Sequence, residues 1–147
     1  VKDIPDGATI AIPNDPTNGG RGLLLLQRAG LLKLKDGVGM KATPKDVVDN
    51  PKHLKFKELE AAQLPRSLAD VDAAAITMNY VMSGGLDVKK QNIFLEPKDE
   101  PLAVMIIAAR NKDKDKEAYK AFVKAYQSEA VKKFIADKYK GTIEPAF

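Results

Sequence analysis

Residues 8–30 read ATIAIPNDPTNGGRGLLLLQRAG, and this stretch decides the fold. Its first part, Ala8–Ile12, is short and apolar and lies between Gly7 and Pro13. A short apolar run between two such turn residues is typical of a buried strand. The stretch therefore predicts a strand that leads directly into a helix.

The helix signals follow at once. Asp15 suits the N-cap position, because its carboxylate can accept a hydrogen bond from a backbone N–H of the first turn. Pro16 suits the first helical position, where its missing N–H costs nothing. The predicted helix carries Leu23–Leu26 and ends at Gly30, which suits the left-handed position after a helix.

Strand and helix signals alternate along the rest of the chain. Alternating or continuous apolar runs predict strands, and the last of these runs is apolar throughout, as in a strand covered on both faces. The predicted strands are Leu54–Leu59, Val71–Ile76, Ile93–Leu95 and Leu102–Ala109. Helices are predicted from Thr43–Pro44 to just before Pro51, over Leu64–Ala69 and over Asn79–Ser83, before Gly84–Gly85.

Two amphipathic helices complete the chain, the second with Ser128 as its N-cap. Their apolar residues recur at helical spacing, which predicts stripes that face a core. The stripes are Tyr119, Phe122, Val123 and Tyr126, then Val131, Phe134, Ile135 and Tyr139. Strands that alternate with helices predict an α/β fold with a mostly parallel sheet, which binds ligands at the carboxyl ends of its strands.

Composition excludes several function classes. The chain has 147 residues, no cysteine and one histidine, His53, which we expect in a surface loop. Thiolate metal sites, poly-histidine metal sites and cysteine catalysis are therefore excluded. The net charge is +4, and positive and negative side chains alternate over 112–120. Because binding to phosphates needs several unopposed positive charges on one surface, we expect no nucleic-acid partner. No titratable constellation for catalysis, apolar membrane span or signal peptide is visible, and we expect no enzyme, metal or cofactor.

One segment, Asn14–Gly22 (NDPTNGGRG), combines features of an anion site. The first turn of a helix presents unpaired N–H groups, Gly19 and Gly20 allow close approach to the backbone, and Arg21 adds a planar guanidinium. A capped helix with a tight turn and a solvated Arg21 explains the same residues equally well. Asn79, just after a predicted strand, is likewise either a ligand contact or a helix cap.

Several segments together resemble one family. They are IAIPNDPTNGGRGLLLLQRAGLLKLKDGVG, KELEAAQLPRSLADVD followed by a strand and NY, and VKAYQSEAVKKFI. They are similar to the methionine-binding lipoproteins of bacterial ABC importers. The resemblance implies a periplasmic-binding-protein-like (type II) three-layer fold, in which two α/β lobes close on an amino acid. It further implies that Arg21 holds the ligand carboxylate, with Asn14 and Asn18 as nearby pocket residues.

The resemblance also implies a division of this chain. Residues 7–87 correspond to the second lobe, and 88–147 correspond to the return strand and C-terminal helices that complete the first lobe. The first lobe is otherwise largely missing from this chain. Thr77 and Val104 stand where the family has asparagine, while Asn79 lies two residues beyond Thr77. The loss of two amide partners counts against methionine itself and leaves open a related amino acid, a different small carboxylate or a weakened binder. From the resemblance we expect methionine or a related amino acid.

The implied partners are an amino acid and an ABC permease, in the periplasm or cell envelope. The full-length family protein is lipid-anchored, although the signal peptide and lipid-bearing cysteine are absent from this chain. The alternative is a fragment that binds no ligand and acts as an interaction module, for example as a domain-swapped homodimer that exchanges its C-terminal helices.

Overall fold

The computed structural model describes residues 1–97 and 100–147, and it divides into two units, Val1–Glu96 and Pro97–Phe147. The strands are β1 (Thr9–Pro13), β2 (Lys33–Leu34), β3 (Val47–Asp49), β4 (Lys55–Leu59) and β5 (Ala73–Ala74). The helices are α1 (Pro16–Arg28), α2 (Leu64–Ser67), α3 (Met78–Ser83), α4 (Val88–Gln91), α5 (Glu117–Tyr126) and α6 (Glu129–Tyr139). Single 3-10 turns occur at Gly39–Lys41, Pro44–Asp46, Ala61–Gln63 and Pro101–Ala103.

A parallel three-stranded sheet with the order β4-β1-β5 forms the centre of the first unit. Thr9 pairs with Lys55 and Pro13 with Leu59, while Ile10 pairs with Ala73. The carboxyl ends of the three strands therefore lie at one edge of the sheet. The expected α/β class with a parallel sheet is confirmed.

The core of this unit forms between the central strand and α1. Ile10 and Ile12 of β1 and Leu23 of α1 are completely buried. Burial of a side chain of this size stabilises the folded state by about 1.5–3 kcal/mol relative to exposure. The rest of the buried cluster surrounds these three: Ile4, Ala8, Leu26, Leu31, Leu32, Leu34, Ala42, Leu54 and Ala75.

Helix α1 has the ends that the sequence predicts. Asp15 is its N-cap, Pro16 is its first residue, and Gly30 follows it with φ +73°. The Gly30 N–H donates to the carbonyl of Gln27 at 2.9 Å, which closes the last turn. The predicted strand, N-cap and stop of this stretch are all confirmed.

The helix predicted at Thr43–Pro44 is wrong. Pro44–Asp46 forms a single 3-10 turn, and β3 follows and pairs antiparallel with β2. The Asp46 carboxylate accepts hydrogen bonds from the Thr43 N–H at 2.8 Å and the Thr43 hydroxyl at 2.7 Å, so the turn closes on itself. The β-branched Val47 and Val48 then favour the extended conformation over a second helical turn.

The other strand predictions in this unit have mixed outcomes. The run Leu54–Leu59 is confirmed as β4, and Val71–Ile76 contains the shorter β5. The strand predicted at Ile93–Leu95 is wrong, because these residues form no regular element and pair with no strand among the described residues. The short helices α2 and α3 appear where predicted, and α3 ends at Gly84–Gly85, where Gly85 has φ +71°.

The second unit contains α5 and α6 as predicted. The Ser128 hydroxyl accepts a hydrogen bond from the Val131 N–H at 3.4 Å and caps α6. The predicted core-facing stripes are wrong for these residues, since Phe122 and Phe134 are 56% and 55% exposed. Two helices and an irregular segment supply too little surface to cover two aromatic stripes.

The strand predicted at Leu102–Ala109 is also wrong. Its first residues belong to the 3-10 turn Pro101–Ala103, and Met105 is 92% exposed. A strand covered on both faces needs neighbouring strands, and the described residues of the second unit form none. Within the part of the chain that the structure describes, no helix has the length and apolar character needed to cross a membrane.

Candidate functional site

The predicted site residues lie on two segments that leave the carboxyl edge of the sheet. Asn14 directly follows β1, and its N–H donates to the carbonyl of Leu59 in β4 at 2.8 Å. Thr77 directly precedes α3, after the neighbouring strand β5. Asn18 and Arg21 lie in α1, and Asn79 lies in α3. Parallel sheets bind ligands at this edge.

The first turn of α1 is closed by its own side chains. The Asp15 carboxylate accepts hydrogen bonds from the Asn18 N–H at 2.9 Å and from Asn18 Nδ2 at 3.2 and 3.1 Å. In this turn Asp15 supplies the negative charge that a helix N-terminus favours, as in the capped helix that the sequence offered as one of two alternatives. Asn18 holds the cap, and the side chain of Asn14 is exposed.

The cap has a consequence for acid stability. The backbone hydrogen bond from Asn18 holds the pKa of Asp15 below its ordinary value of 3.8. A lowered folded-state pKa stabilises the fold above the unfolded pKa of about 4, and that stabilisation is lost as the pH falls through the folded pKa.

We therefore expect Asp15→Asn to flatten the acid limb of the stability curve. Asparagine caps a helix about as well as aspartate but does not titrate near pH 4, so the stability advantage of the wild-type chain should shrink as the pH falls below about 4. Urea unfolding at a series of pH values measures this difference. Asp36→Asn, in an exposed turn, controls for the loss of one negative charge. Parallel curves for wild type and Asp15→Asn would contradict the prediction.

Two glycines of α1 serve packing against the chain itself. A Cβ atom on Gly19 would lie 2.7 Å from the carbonyl oxygen of Pro13, and one on Gly20 would lie 2.1 Å from that of Met40. The interpretation that Gly19 and Gly20 make room for a ligand is therefore wrong. They let α1 approach the end of β1 and the turn Gly39–Lys41 more closely than any side chain would allow.

The guanidinium of Arg21 holds a carboxylate. Its Nε donates to Oε1 of Glu96 at 2.8 Å, and its Nη2 pairs with Oε2 of the same residue. The two side chains are only 26% and 21% exposed. A bidentate, charge-assisted pair of this kind has a planar geometry that a ligand carboxylate also satisfies. The alternative, an Arg21 side chain surrounded by solvent, is therefore not observed.

Sequence reasoning missed Glu96. It lies 75 residues from Arg21 in the chain, and no spacing rule joins the two. The available signal is its position as a charged residue directly after the apolar run Ile93–Leu95 and before Pro97.

Thr77 and Asn79 form the start of α3. The Thr77 carbonyl accepts hydrogen bonds from the N–H groups of Tyr80 at 2.9 Å and Val81 at 3.1 Å. The Asn79 side chain is exposed. Between described residues, no hydrogen bond joins the side chains of Asn14, Thr77 and Asn79. Val104 lies in the second unit, exposed, directly after the turn Pro101–Ala103.

A separate apolar cavity of about 390 Å³ lies in the first unit, beside β5. Leu25 and Leu26 of α1 line it together with the run Ile93–Leu95, while Arg21 does not. The apolar residues of the wrongly predicted strand therefore line the same cavity as the apolar side of α1. Among the described residues, no group of three or more His, Cys, Asp or Glu side chains is placed to hold a metal ion.

Comparisons with known proteins identify relatives over the whole chain. The sequence model of the NlpA lipoprotein family matches residues 1–147. The D-methionine-binding lipoprotein MetQ of Escherichia coli O157:H7 is 54% identical over 133 residues, which are 89% of this chain and 49% of that protein. The chain thus spans about half the length of the curated relatives it matches.

Comparison with solved structures gives relatives of the same kind. A nutrient-binding protein from Burkholderia cenocepacia, determined bound to methionine, is 46% identical with a TM-score of 0.87, over 100% of this chain and 62% of that one. Lipoprotein Tp32 from Treponema pallidum is 34% identical with a TM-score of 0.86, over 97% of this chain and 59% of that one. The two units of this chain therefore have the fold of part of a periplasmic binding protein. Because the family model matches every residue, this chain belongs to the NlpA lipoprotein family.

Proposed function

We propose that this chain is part of the solute-binding component of an ABC amino-acid importer, and that Arg21 binds the ligand by its carboxylate. The observation that carries the proposal is the bidentate pair with Glu96, in which this guanidinium already holds a carboxylate in a half-buried site. The relatives named for D-methionine binding and the structure determined with methionine favour methionine or a related amino acid as the ligand.

The proposal gives each of the other candidate residues a different role. Thr77 and Asn79, the latter with an exposed side chain, follow β5 at the carboxyl edge of the sheet, and we propose that they contact the ligand there. Asn14 stands at the same edge after β1. Asn18 contributes through the cap of α1, because its amide group is bound to Asp15. The protein binds and releases its ligand without turnover.

The proposal assigns residues 7–87 to the second lobe and residues 88–147 to the return strand and helices that complete the first lobe. The exposed apolar side chains of the second unit, Met105 and Phe122 among them, support this assignment. Apolar side chains at this density fit a surface that another part of a longer protein covers. The relatives give no support to the alternative of a domain-swapped pair of copies.

Partner and location follow from the same relatives. We propose that the longer protein delivers its ligand to a membrane permease and is held by a lipid anchor in the periplasm or cell envelope; the relatives named as lipoproteins support this location.

Arg21→Ala tests the proposal. Titration calorimetry of the wild-type chain with L-methionine and D-methionine should detect binding of at least one. The variant should bind about tenfold to a hundredfold more weakly, since hydrogen bonds to charged groups contribute about 1.5–3 kcal/mol. Arg28→Ala, which removes the same side chain from the exposed end of α1, is the matched control and should keep its affinity.

Two results would overturn the proposal. One is a wild-type chain that binds neither enantiomer and no related amino acid. The other is unchanged affinity in Arg21→Ala, which would remove the guanidinium from the site even if the chain binds an amino acid.

A further inference from the structure

We infer that Glu96 is an internal competitor for the ligand. Its carboxylate occupies the edge of the Arg21 guanidinium formed by Nε and Nη2, and an amino acid must displace it to bind there. This inference rests on the proposed function of Arg21. It adds a residue that sets the affinity for carboxylate ligands.

The first step is chemical equivalence. The Glu96 side chain offers Arg21 the same group that an amino acid offers through its α-carboxylate. Nε and Nη2 of Arg21 are both engaged by the two oxygens of Glu96, one N–H group to each oxygen. A ligand carboxylate that takes this edge of the guanidinium must replace Glu96, because one edge holds one bidentate carboxylate.

The second step is that the contact differs from an ordinary surface ion pair. Ion pairs elsewhere among the described residues join side chains three or four positions apart, as Lys120 and Glu117 do, with Glu117 90% exposed. Such pairs contribute little and form from local proximity. Arg21 and Glu96 are 75 positions apart and largely shielded from solvent, so the fold itself brings them together.

The third step is that Glu96 is able to leave. It lies between α4 and Pro97 in a stretch without regular structure. Between described residues, no backbone–backbone hydrogen bond joins residues 93–96 to the rest of the chain. Release of the carboxylate therefore breaks the side-chain pair without breaking a strand or helix.

The fourth step concerns position. Glu96 is the last residue of the first unit. A ligand that displaces it therefore acts on the chain at the last residue of this unit. In the absence of ligand the carboxylate of Glu96 balances the positive charge of the half-buried Arg21 guanidinium.

The inference predicts a gain of affinity. Glu96→Gln keeps the shape of the side chain but removes its charge. It should tighten L-methionine or D-methionine binding roughly tenfold. This factor is expected if Glu96 is bound to Arg21 in about nine-tenths of the ligand-free molecules, so that only about one-tenth of them can bind ligand. Glu58→Gln, an exposed residue of β4, is the control for loss of one negative charge and should bind as wild type does. In the Arg21→Gln background the gain from Glu96→Gln should vanish.

The experiment separates this inference from the proposed function. If wild type binds and Arg21→Ala does not, but Glu96→Gln gains no more than Glu58→Gln, the proposed function stands and the competitor role falls. A gain for L-methioninol, which has no carboxylate, equal to the gain for methionine also overturns it.

A measurement without ligand covers the case in which no variant binds. Proton exchange of the Arg21 Nε–H, followed by nuclear magnetic resonance, should be slow in the wild-type chain and in Glu58→Gln. It should accelerate in Glu96→Gln by about tenfold, because the bound carboxylate protects this proton. An unchanged exchange rate overturns the inference. Absence of binding together with the expected acceleration shows that Glu96 holds Arg21, but it overturns the proposed function and with it the competitor role.

Discussion

Replacing Gly20 with alanine is expected to lower the free energy of unfolding of the first unit by about 3 kcal/mol, the upper end of the usual cost of overpacking. The added Cβ would lie 2.1 Å from the carbonyl oxygen of Met40 and 2.7 Å from its carbonyl carbon. Both atoms belong to the backbone of a tight turn, so no side-chain rotation relieves the clash. The helix must move away from the turn or the turn must open.

Gly22→Ala is the matched control for this prediction. Both variants gain about 1 kcal/mol of helix propensity, because both glycines lie inside α1. The Cβ on Gly22 would meet the Ala75 side chain at 3.2 Å, a contact that a small shift relieves. Urea unfolding should therefore leave Gly22→Ala within about 1 kcal/mol of wild type. Equal losses in the two variants would show that the approach to Met40 does not limit the position of α1.

Local chemistry explains why α1 was predictable from sequence. An N-cap, a proline at the first turn and a glycine after the last turn each act within a few residues, so Asp15, Pro16 and Gly30 identify both ends of the helix. The same holds for Ser128 before α6. Such signals depend on neighbouring residues alone, but they do not fix the length of the element, since the capped turn at Thr43–Pro44 closed without continuing into a helix.

Elements that depend on distant partners were not predictable. Leu102–Ala109 has the composition of a strand covered on both faces, but strand formation requires neighbours that the described residues of the second unit do not supply. The aromatic stripes of α5 and α6 fail for the same reason. In each case the apolar pattern indicates a buried surface, whereas the described residues leave Met105, Phe122 and Phe134 exposed.

The candidate site was likewise predictable from local signals but not from contacts between distant residues. From its residue type and position Arg21 suited an anion, but a solvated side chain explained the sequence equally well, and the family resemblance alone implied a carboxylate. Which carboxylate it holds in the absence of ligand depends on a contact across 75 residues, and sequence spacing does not encode that contact. The glycines of the same block pack α1 against the chain, so one motif serves both fold and site.

Leu23→Ala is expected to be the most destabilising truncation in α1, with a loss of about 2–5 kcal/mol. Leu23 has no exposed surface and packs between β1 and the rest of the core cluster. Its removal takes away the transfer free energy of the side chain and leaves a cavity that the rigid sheet cannot collapse to fill. Urea unfolding measures the loss, and hydrogen exchange of the β1 amides assigns it to the first unit.

Leu24→Ala supplies the comparison, because four leucines stand in a row at 23–26 and the sequence alone does not say which face the core. Leu24 is only partly buried, so its truncation should cost at least about 1 kcal/mol less than that of Leu23. A helix rotated by one residue about its axis would reverse the order of the two losses. The ranking of Leu23 and Leu24 therefore measures the orientation of α1, and with it the direction in which Arg21, two residues before Leu23, presents its guanidinium.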